Sequence, residues 1–333
     1  MANLLNKNDH IFIAGHNGMV GSSIVRCLKK KGYFHQDNSG KLLIKSRSEL
    51  DLLDFQEVKK WFSDNEPSVV IIAAAKVGGI LANSKYSYDF LIENLKIQQN
   101  IIENSLKFGV KRLLFLGSSC IYPKNAPQPI VEENLLSGSL EKTNEPYAIA
   151  KIAGLKLCSA LREQKGFDAI SLMPTNLYGP GDNYHIENSH VFASFLRKFI
   201  EAKEQNLKEV VCWGSGKPLR EFLHVDDLAE ACVFALEKWD PNDLNSPKDN
   251  NGIPLDFLNV GTGIDISIKQ LAEIISKQIN YSGEIVWDKS KPDGTPKKQL
   301  DITRIKSLGW EPKIKLQEGI RLTLNQLYEN RPF

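Results

Sequence analysis

Short apolar runs alternate along the chain with longer stretches in which apolar residues recur every three or four positions. The short runs are residues 10–14, 41–45, 69–75, 112–118 and 169–174. A run without polar alternation, such as 69–75, predicts a strand covered on both faces. Residues 19–30, 86–108 and 147–165 predict helices between them. Strand and helix in alternation predict an α/β fold, a Rossmann-type doubly wound parallel sheet.

After about residue 176 the pattern loosens. Turn residues cluster at 179–183, 240–254 and 290–296. Residues 1–176, rejoined by about 221–263, are expected to form the dinucleotide-binding domain. Residues 177–220 and 264–333 are expected to form a smaller, discontinuous α/β substrate-binding lobe. Residues 257–263 read as a strand returning to the main sheet. Ser267 and Gln270 have the spacing of a capping box. Asp226 and Asp227 read as caps of another helix.

Composition narrows the classes. A chain of 333 residues with 42% hydrophobic and 25% charged residues is not disordered and can bury a core without disulfides. Forty-two basic against forty acidic residues leave +2, which gives no electrostatic footprint for a nucleic acid. The longest apolar run falls far short of the roughly 20 residues of a membrane span. Residues 1–16 lack the pattern of a signal peptide. Five scattered cysteines without CxxC spacing predict neither a disulfide framework nor a metal site. A cytoplasmic location is the expectation.

Gly15, His16, Asn17, Gly18, Met19, Val20 and Gly21 follow the first predicted strand and open the first helix. Glycines there allow a tight turn and close approach of a pyrophosphate to the helix N-terminus. The second strand ends Lys45-Ser46-Arg47, where an NAD site usually has a carboxylate. Basic residues suit a 2′-phosphate, with Arg47 foremost, so NADP(H) is the expected cofactor. Asp51 and Asp54 lie further on, within possible reach of the adenosine.

Tyr147 and Lys151 are four residues apart, on one face of a predicted helix. A neighbouring ammonium favours the phenolate, so Tyr147 is a candidate proton donor to a developing alkoxide. Ser118 ends a strand, where such sheets place ligands. It is a candidate partner for the same oxygen.

With these motifs the chain resembles the extended short-chain dehydrogenase/reductases and, within them, the GDP-L-fucose synthase group of epimerase-reductases. The resemblance runs through FIAGH (12–16), AAAKVGGI (73–80), LFLGSSCIYP (114–123) and NEPYAIAKIAG (144–154). It continues through MPTNLYGP (173–180), NSH (188–190), WGSG (213–216), REFLHVDD (220–227) and KPDGTP (291–296). It implies NADPH-dependent epimerisation at C3 and C5, and reduction at C4, of a GDP-4-keto-6-deoxy-mannose. It assigns Cys120 as the base and His190 as the acid of epimerisation. It adds Leu116, Gly117, Pro174, Thr175, Asn176, Leu177 and His190 to the cofactor contacts of Tyr147 and Lys151. Lys198, Trp213, Arg220 and Asp293 would receive the GDP-sugar.

The chemistry is consistent with that implication. Protons next to a keto group are acidified because the carbanion is an enolate, which Ser118 and Tyr147 would stabilise. A thiolate is a competent base where nearby positive charge lowers its pKa, and imidazole donates a proton near neutral pH. Cys27, Cys158, Cys212 and Cys232 read as small buried apolar residues. The family also implies a homodimer packed through residues 86–108 and 147–165.

Two features depart from the pattern. Asn17 stands where relatives often carry arginine, and residues 33–40 form an insertion before the second strand. Alternatives remain open at this point. A 4,6-dehydratase would carry a carboxylate pair where Ser119 and Cys120 stand. A 4-epimerase would retain NAD and consume no NADPH. A colitose-type synthase would use the same groups at C5 alone. A non-catalytic NADPH-binding regulator would have no need of Tyr147 and Lys151.

Overall fold

The computed structural model describes residues 3–186, 188–291 and 293–333; Met1, Ala2, Glu187 and Pro292, the last within the KPDGTP run, lie outside them. The first half alternates as expected: β1 (His10–Ala14), α1 (Met19–Lys30), β2 (Lys41–Leu43), α2 (Phe55–Asn65), β3 (Val69–Ile72), α3 (Ile80–Lys85), α4 (Ser87–Lys107), β4 (Arg112–Leu116), α5 (Glu145–Lys165) and β5 (Ala169–Pro174). The second half contains β6 (Asn176–Tyr178), α6 (Val191–Glu204), β7 (Glu209–Trp213), β8 (Leu219–His224), α7 (Val225–Lys238), β9 (Phe257–Val260), β10 (Asp265–Ser267), α8 (Ile268–Ile279), β11 (Glu284–Asp288), β12 (Lys297–Lys298), α9 (Thr303–Ser307) and α10 (Leu316–Glu329).

The main sheet has six strands in the order β2-β1-β3-β4-β5-β9, all parallel. Every residue of β3 is at most 1% exposed, as its unbroken apolar sequence requires. Each such side chain stabilises the fold by roughly 1.5–3 kcal/mol. Helices α5 and α7 both pack against β4, α4 lies along α5, and α1 lies along α7. Residues 257–263 do return to the sheet, as β9 beside β5.

In the second half, β8 pairs with β6 and β12 in parallel and with β10 antiparallel, while β7 and β11 form a parallel ribbon. A second apolar cluster centres on Phe192, Phe199, Leu271, Ile275 and Leu324. Residues 300–310 do not join it. Leu300, Ile302, Ile305 and Trp310 belong to the first cluster, and α9 packs on β9. An apolar residue records that it is buried, not in which of two cores.

The capping box of α8 forms as its spacing predicts. Ser267 Oγ accepts from the Gln270 N–H at 3.1 Å, and Gln270 Oε1 accepts from the Ser267 N–H at 2.9 Å. Asp226 and Asp227 do not cap α7. His224 does, its Nδ1 accepting from the Asp226 N–H at 3.2 Å. Asp226 instead binds Arg26 at 2.8 Å, and Asp227 accepts from the Lys313 and Ile314 N–H groups at 3.1 and 2.9 Å. Long-range partners take these carboxylates away from the helix end.

Candidate active site

The cofactor end is built on the C-terminal edge of the sheet. Gly15 lies at φ +87°, and a Cβ there would stand 2.7 Å from the Ala74 backbone. A Cβ on Gly21 would stand 2.2 Å from the Gly15 carbonyl oxygen. The turn therefore closes only with glycine at both positions. No side chain caps α1 and its first turn has no acidic residue, so its amide donors face outward for an anion. Asn17 and Gly18 are exposed there, and Met19 and Val20 half-buried. The His16 imidazole has a buried Nδ1 without a hydrogen-bond partner. These features fit a dinucleotide.

Beyond β2 the basic turn divides. Lys45 pairs with Glu49 at 3.0 Å, while Arg47 is exposed. The Glu49 carboxylate is held well below the usual range by hydrogen bonds from Ser46 and then by Lys45.

Leu116 ends β4, and the Gly117 N–H donates to the Leu172 carbonyl at 3.0 Å. Pro174 ends β5, and the chain continues through Thr175 into Asn176 and Leu177 of β6. Thr175 Oγ1 and Asn176 Nδ2 both donate to the Glu221 carbonyl, at 3.3 and 2.9 Å. The expected cofactor segment is thereby anchored to β8.

Ser118 follows β4 and caps a short 3-10 turn, Ser119–Ile121. Its Oγ accepts from the Cys120 N–H at 3.2 Å. This turn brings the Cys120 thiol to the same edge as Ser118. Tyr147 lies in the first turn of α5, with Pro146 pre-organising that turn. Its ring stands edge-on to Phe90, with centroids 6.3 Å apart.

Lys151, one helical turn on, is buried and donates to the Leu116 carbonyl at 2.8 Å. Burial lowers its pKa to about 8. The expected drop in the Tyr147 pKa is absent. Burial raises it, a thiolate at Cys120 adds to this, and a hydrogen bond with Ser118 opposes it only in part. With Lys151 turned to a carbonyl, Tyr147 is held protonated, the form a proton donor needs.

Cys120 has two partners that no local motif announces. Asn144 Nδ2 lies 3.2 Å from Sγ, and Lys298 Nζ lies 3.4 Å from it. Burial raises the thiol pKa. Lys298, the Ser118 hydrogen bond and the Arg220 charge together outweigh burial, so the net shift is downward. That environment favours a thiolate.

Lys298 reaches the site through β12, whose register sets it opposite Arg220. The next residue of β8, Glu221, holds this region in place. Its buried carboxylate accepts from the Gly263 and Leu300 N–H groups, both at 2.8 Å, and from that of Thr262.

His190 immediately precedes α6 on a loop fixed by the AAAKVGGI run, where the Gly79 N–H donates to the Asn188 carbonyl at 3.0 Å. Its imidazole lies within electrostatic range of Lys298. Desolvation by the surrounding protein and then the Lys298 charge lower its pKa. Cys120 is thus linked to Ser118, Tyr147, Arg220 and Lys298, and Lys298 in turn to His190.

The expected substrate residues lie further out. Trp213 ends β7 and is 49% exposed, with the Lys198 and Lys291 ammonium groups 5.7 and 5.5 Å from its ring centroid. Lys198 also donates to the Val211 carbonyl at 2.9 Å. Asp293 is exposed and bonded within the chain. Its two carboxylate oxygens accept from Ser215 N and Oγ at 2.6 and 2.8 Å, clamping the turn after Trp213. Arg220 is largely buried, which lowers its pKa; Cys120 and Asp293 oppose that shift. Lys298 and Asn144 are the site residues that sequence reasoning missed. Asn144 stands inside the recognised NEPYAIAK run, which was a signal for it; Lys298 had none. Among the described residues no cluster of His, Cys, Asp and Glu could hold a metal.

Residues 11–246 match the family model described as the NAD dependent epimerase/dehydratase family. GDP-L-fucose synthase 1 of Arabidopsis thaliana is 50% identical over 99% of this chain and 96% of its own length. GDP-L-fucose synthase of Escherichia coli (strain K12) is 50% identical over 98% of each chain. Among solved structures, the GDP-mannoheptose C4 reductase of Campylobacter jejuni, with NADP bound, superposes with a TM-score of 0.87 at 38% identity, over 98% of this chain and 100% of that one. The glycine turn on a doubly wound sheet, the Ser118–Tyr147–Lys151 constellation and these similarities agree, and the chain belongs to the NAD dependent epimerase/dehydratase family.

Proposed function

We infer that this chain converts GDP-4-dehydro-6-deoxy-D-mannose to GDP-L-fucose, by epimerisation at C3 and C5 and NADPH-dependent reduction at C4. The observation that carries the reading is a cysteine held toward its thiolate beside Ser118 and Tyr147, with His190 in the same cleft. A simple reductase would need only Ser118, Tyr147 and Lys151. The two curated synthases at 50% identity over nearly the whole chain give the substrate.

The cofactor is NADP(H), held by the 15–21 turn, Arg47, residues 116–117, Tyr147, Lys151, residues 174–177 and His190. When bound, the reduced cofactor supplies the hydride for C4. The chain's own residues do the rest. Ser118 and Tyr147 donate hydrogen bonds to the C4 oxygen, stabilising the enolate and later the alkoxide. The Cys120 thiolate removes a proton beside the carbonyl, and His190 delivers one to the opposite face. Its lowered pKa makes the imidazolium a stronger acid and less populated at neutral pH. Tyr147 then gives its proton to the C4 alkoxide. Arg220 and Lys198 receive the diphosphate, and Trp213 offers a flat face to base or sugar. Asp293 positions that turn through Ser215.

Residues 1–176, rejoined by about 221–263 and by 300–310, form the cofactor domain; the remaining second half forms the substrate lobe. A homodimer through α4 and α5 is supported by apolar side chains left exposed on both, Tyr88 (74%) and Leu106 (37%) on α4 and Ile149 (45%) on α5. A cytoplasmic location is supported by five free cysteines. Among the described residues no helix is long and apolar enough to cross a membrane.

The test follows NADPH absorbance with GDP-4-dehydro-6-deoxy-D-mannose, with NADH in parallel, and product NMR in D2O. NADPH oxidation yielding GDP-L-fucose is expected, with Cys120→Ser losing deuterium uptake at C3 and C5. Oxidation only with the 3,6-dideoxy analogue would move the assignment to a colitose-type synthase. Full epimerisation by Cys120→Ser would remove the cysteine from the mechanism.

A further inference from the structure

The reading above leaves a proton to be accounted for. One cysteine and one histidine serve two carbon centres. After the first epimerisation Cys120 is a neutral thiol and His190 a neutral imidazole. The pair acts at the second centre only if the thiol has lost its proton. Lys298 takes no part in that transfer, because its ammonium donates and cannot accept.

Behind Cys120 lies a cavity of about 30 Å³, room for one water molecule. Cys120, Lys298, Asn144, Glu141, Lys124 and Thr295 line it. Ser118, Tyr147, His190 and Arg220 do not line it, so it is distinct from the cleft in which they meet. Asn144 spends its amide N–H on Cys120 Sγ, at 3.2 Å. Its Oδ1 is buried without a hydrogen-bond partner. An unpaired buried acceptor is costly and is ordinarily met by an ordered water.

At the other wall stands Glu141, a carboxylate paired with Lys124 at 2.8 Å and hydrogen-bonded by Thr295. Burial acts to raise its pKa, and these partners more than offset it, so the group stays ionised. Its side chain is 17% exposed, while the Oε2 that pairs with Lys124 is itself buried. The Asn144 N–H donates to the Glu141 carbonyl at 3.2 Å, so one turn carries both groups.

We propose that Glu141 is the proton outlet of Cys120, acting through a water in this cavity held by Asn144, and that it resets the base between the two epimerisations. The inference rests on the epimerase-reductase reading. The S–H bond of Cys120 breaks as an O–H bond forms on the water. The water passes a different proton to a Glu141 oxygen, and Glu141 releases it to bulk solvent. Thiolate, water and carboxylate are all regenerated, and His190, which is exposed, regains its proton from solvent, so the proton released through Glu141 is matched by one taken up. Glu141 acts through the water and is a positioning and relay residue.

The test is single-turnover conversion in D2O with enzyme in excess, comparing wild type, Glu141→Gln and Thr295→Val. Deuterium at C3 and C5 of the quenched product is read by NMR, and NADPH binding is read separately. The first exchange uses a thiolate already present; the second needs the reset. Glu141→Gln is expected to bind NADPH normally and to slow the second exchange relative to the first by roughly a hundredfold, the lower end for a lost proton-transfer group. Singly exchanged product then accumulates. Thr295→Val should shift the ratio the same way by less, and it carries the test if Glu141→Gln fails to fold.

A merely structural disturbance of Cys120 would slow both exchanges alike. An unchanged ratio in the folded variants overturns the proposal. If wild type itself exchanges at neither carbon, the functional reading fails first, and the relay with it.

Discussion

Lys298 sets the protonation state of Cys120, and replacing it by methionine keeps the aliphatic stem while deleting the charge. At 3.4 Å and an effective dielectric of about 20, an ammonium and a thiolate attract by about 5 kcal/mol. Solvent in the cleft screens roughly half of this, leaving about 2–3 kcal/mol of thiolate stabilisation, up to about a hundredfold in the thiol–thiolate balance. The interaction stabilises the thiolate, so its loss raises the thiol pKa. The assay is the pH profile of Cys120 alkylation by iodoacetamide, followed by mass spectrometry of the peptide carrying it. Cys158, Cys212 and Cys232 are buried and provide unreactive internal references. Lys298→Met should move the midpoint up and slow C–H exchange at neutral pH by up to about a hundredfold, as the thiolate population falls. NADPH affinity should stay as it was. A midpoint that does not move would refute the electrostatic argument.

Three further outcomes follow from the geometry. Tyr147→Phe removes the proton donor to the C4 alkoxide and should cut NADPH oxidation by about 10²–10⁴-fold, with NADPH binding retained in a fluorescence titration. Gly21→Ala sets a Cβ 2.2 Å from the Gly15 carbonyl, so the turn must open; weaker NADPH binding and a lower Tm are expected, by calorimetry and titration. Burial of the Asp182 carboxyl, one of whose oxygens has no hydrogen-bond partner, pushes its pKa up to about 7. The folded state therefore holds a proton that the unfolded chain has released between about pH 4 and pH 7, and stability falls as pH rises through that window. Asp182→Asn should gain up to about 4 kcal/mol over the parent above pH 7 and little near pH 4, read as the difference in Tm across pH.

The parts of the protein legible in its sequence are those fixed over short chain distances. Unbroken apolar runs marked the buried strands, because a strand covered on both faces has no polar side. The 15–21 turn was legible because its glycines recur at short fixed spacings between a strand and a helix, although Gly15 also packs on Ala74; Ser267 and Gln270 met because they lie one helical turn apart. Tyr147 and Lys151 share a helix face by spacing alone, and Ser118 and Cys120 are neighbours in the chain.

The tertiary structure decided what depends on strand register and long-range packing. Lys298 meets Cys120 from 178 positions away, because β12 pairs beside β8 and sets it opposite Arg220; no local pattern encodes that register. Lys151 turns to the Leu116 carbonyl and leaves Tyr147 protonated, a choice made by burial. Asp227 leaves the helix end for Lys313 and Ile314, His224 takes its place as cap, and Asp293 turns to Ser215. For Lys151, Asp227 and His224 a polar group buried by the fold took the partner brought nearest, since leaving a buried donor or acceptor unpaired costs more than any single local preference supplies; Asp293 is exposed and meets Ser215 at the surface. Residues 300–310 joined the first core for a related reason: hydrophobic burial is non-directional, and only topology says which core an apolar segment reaches.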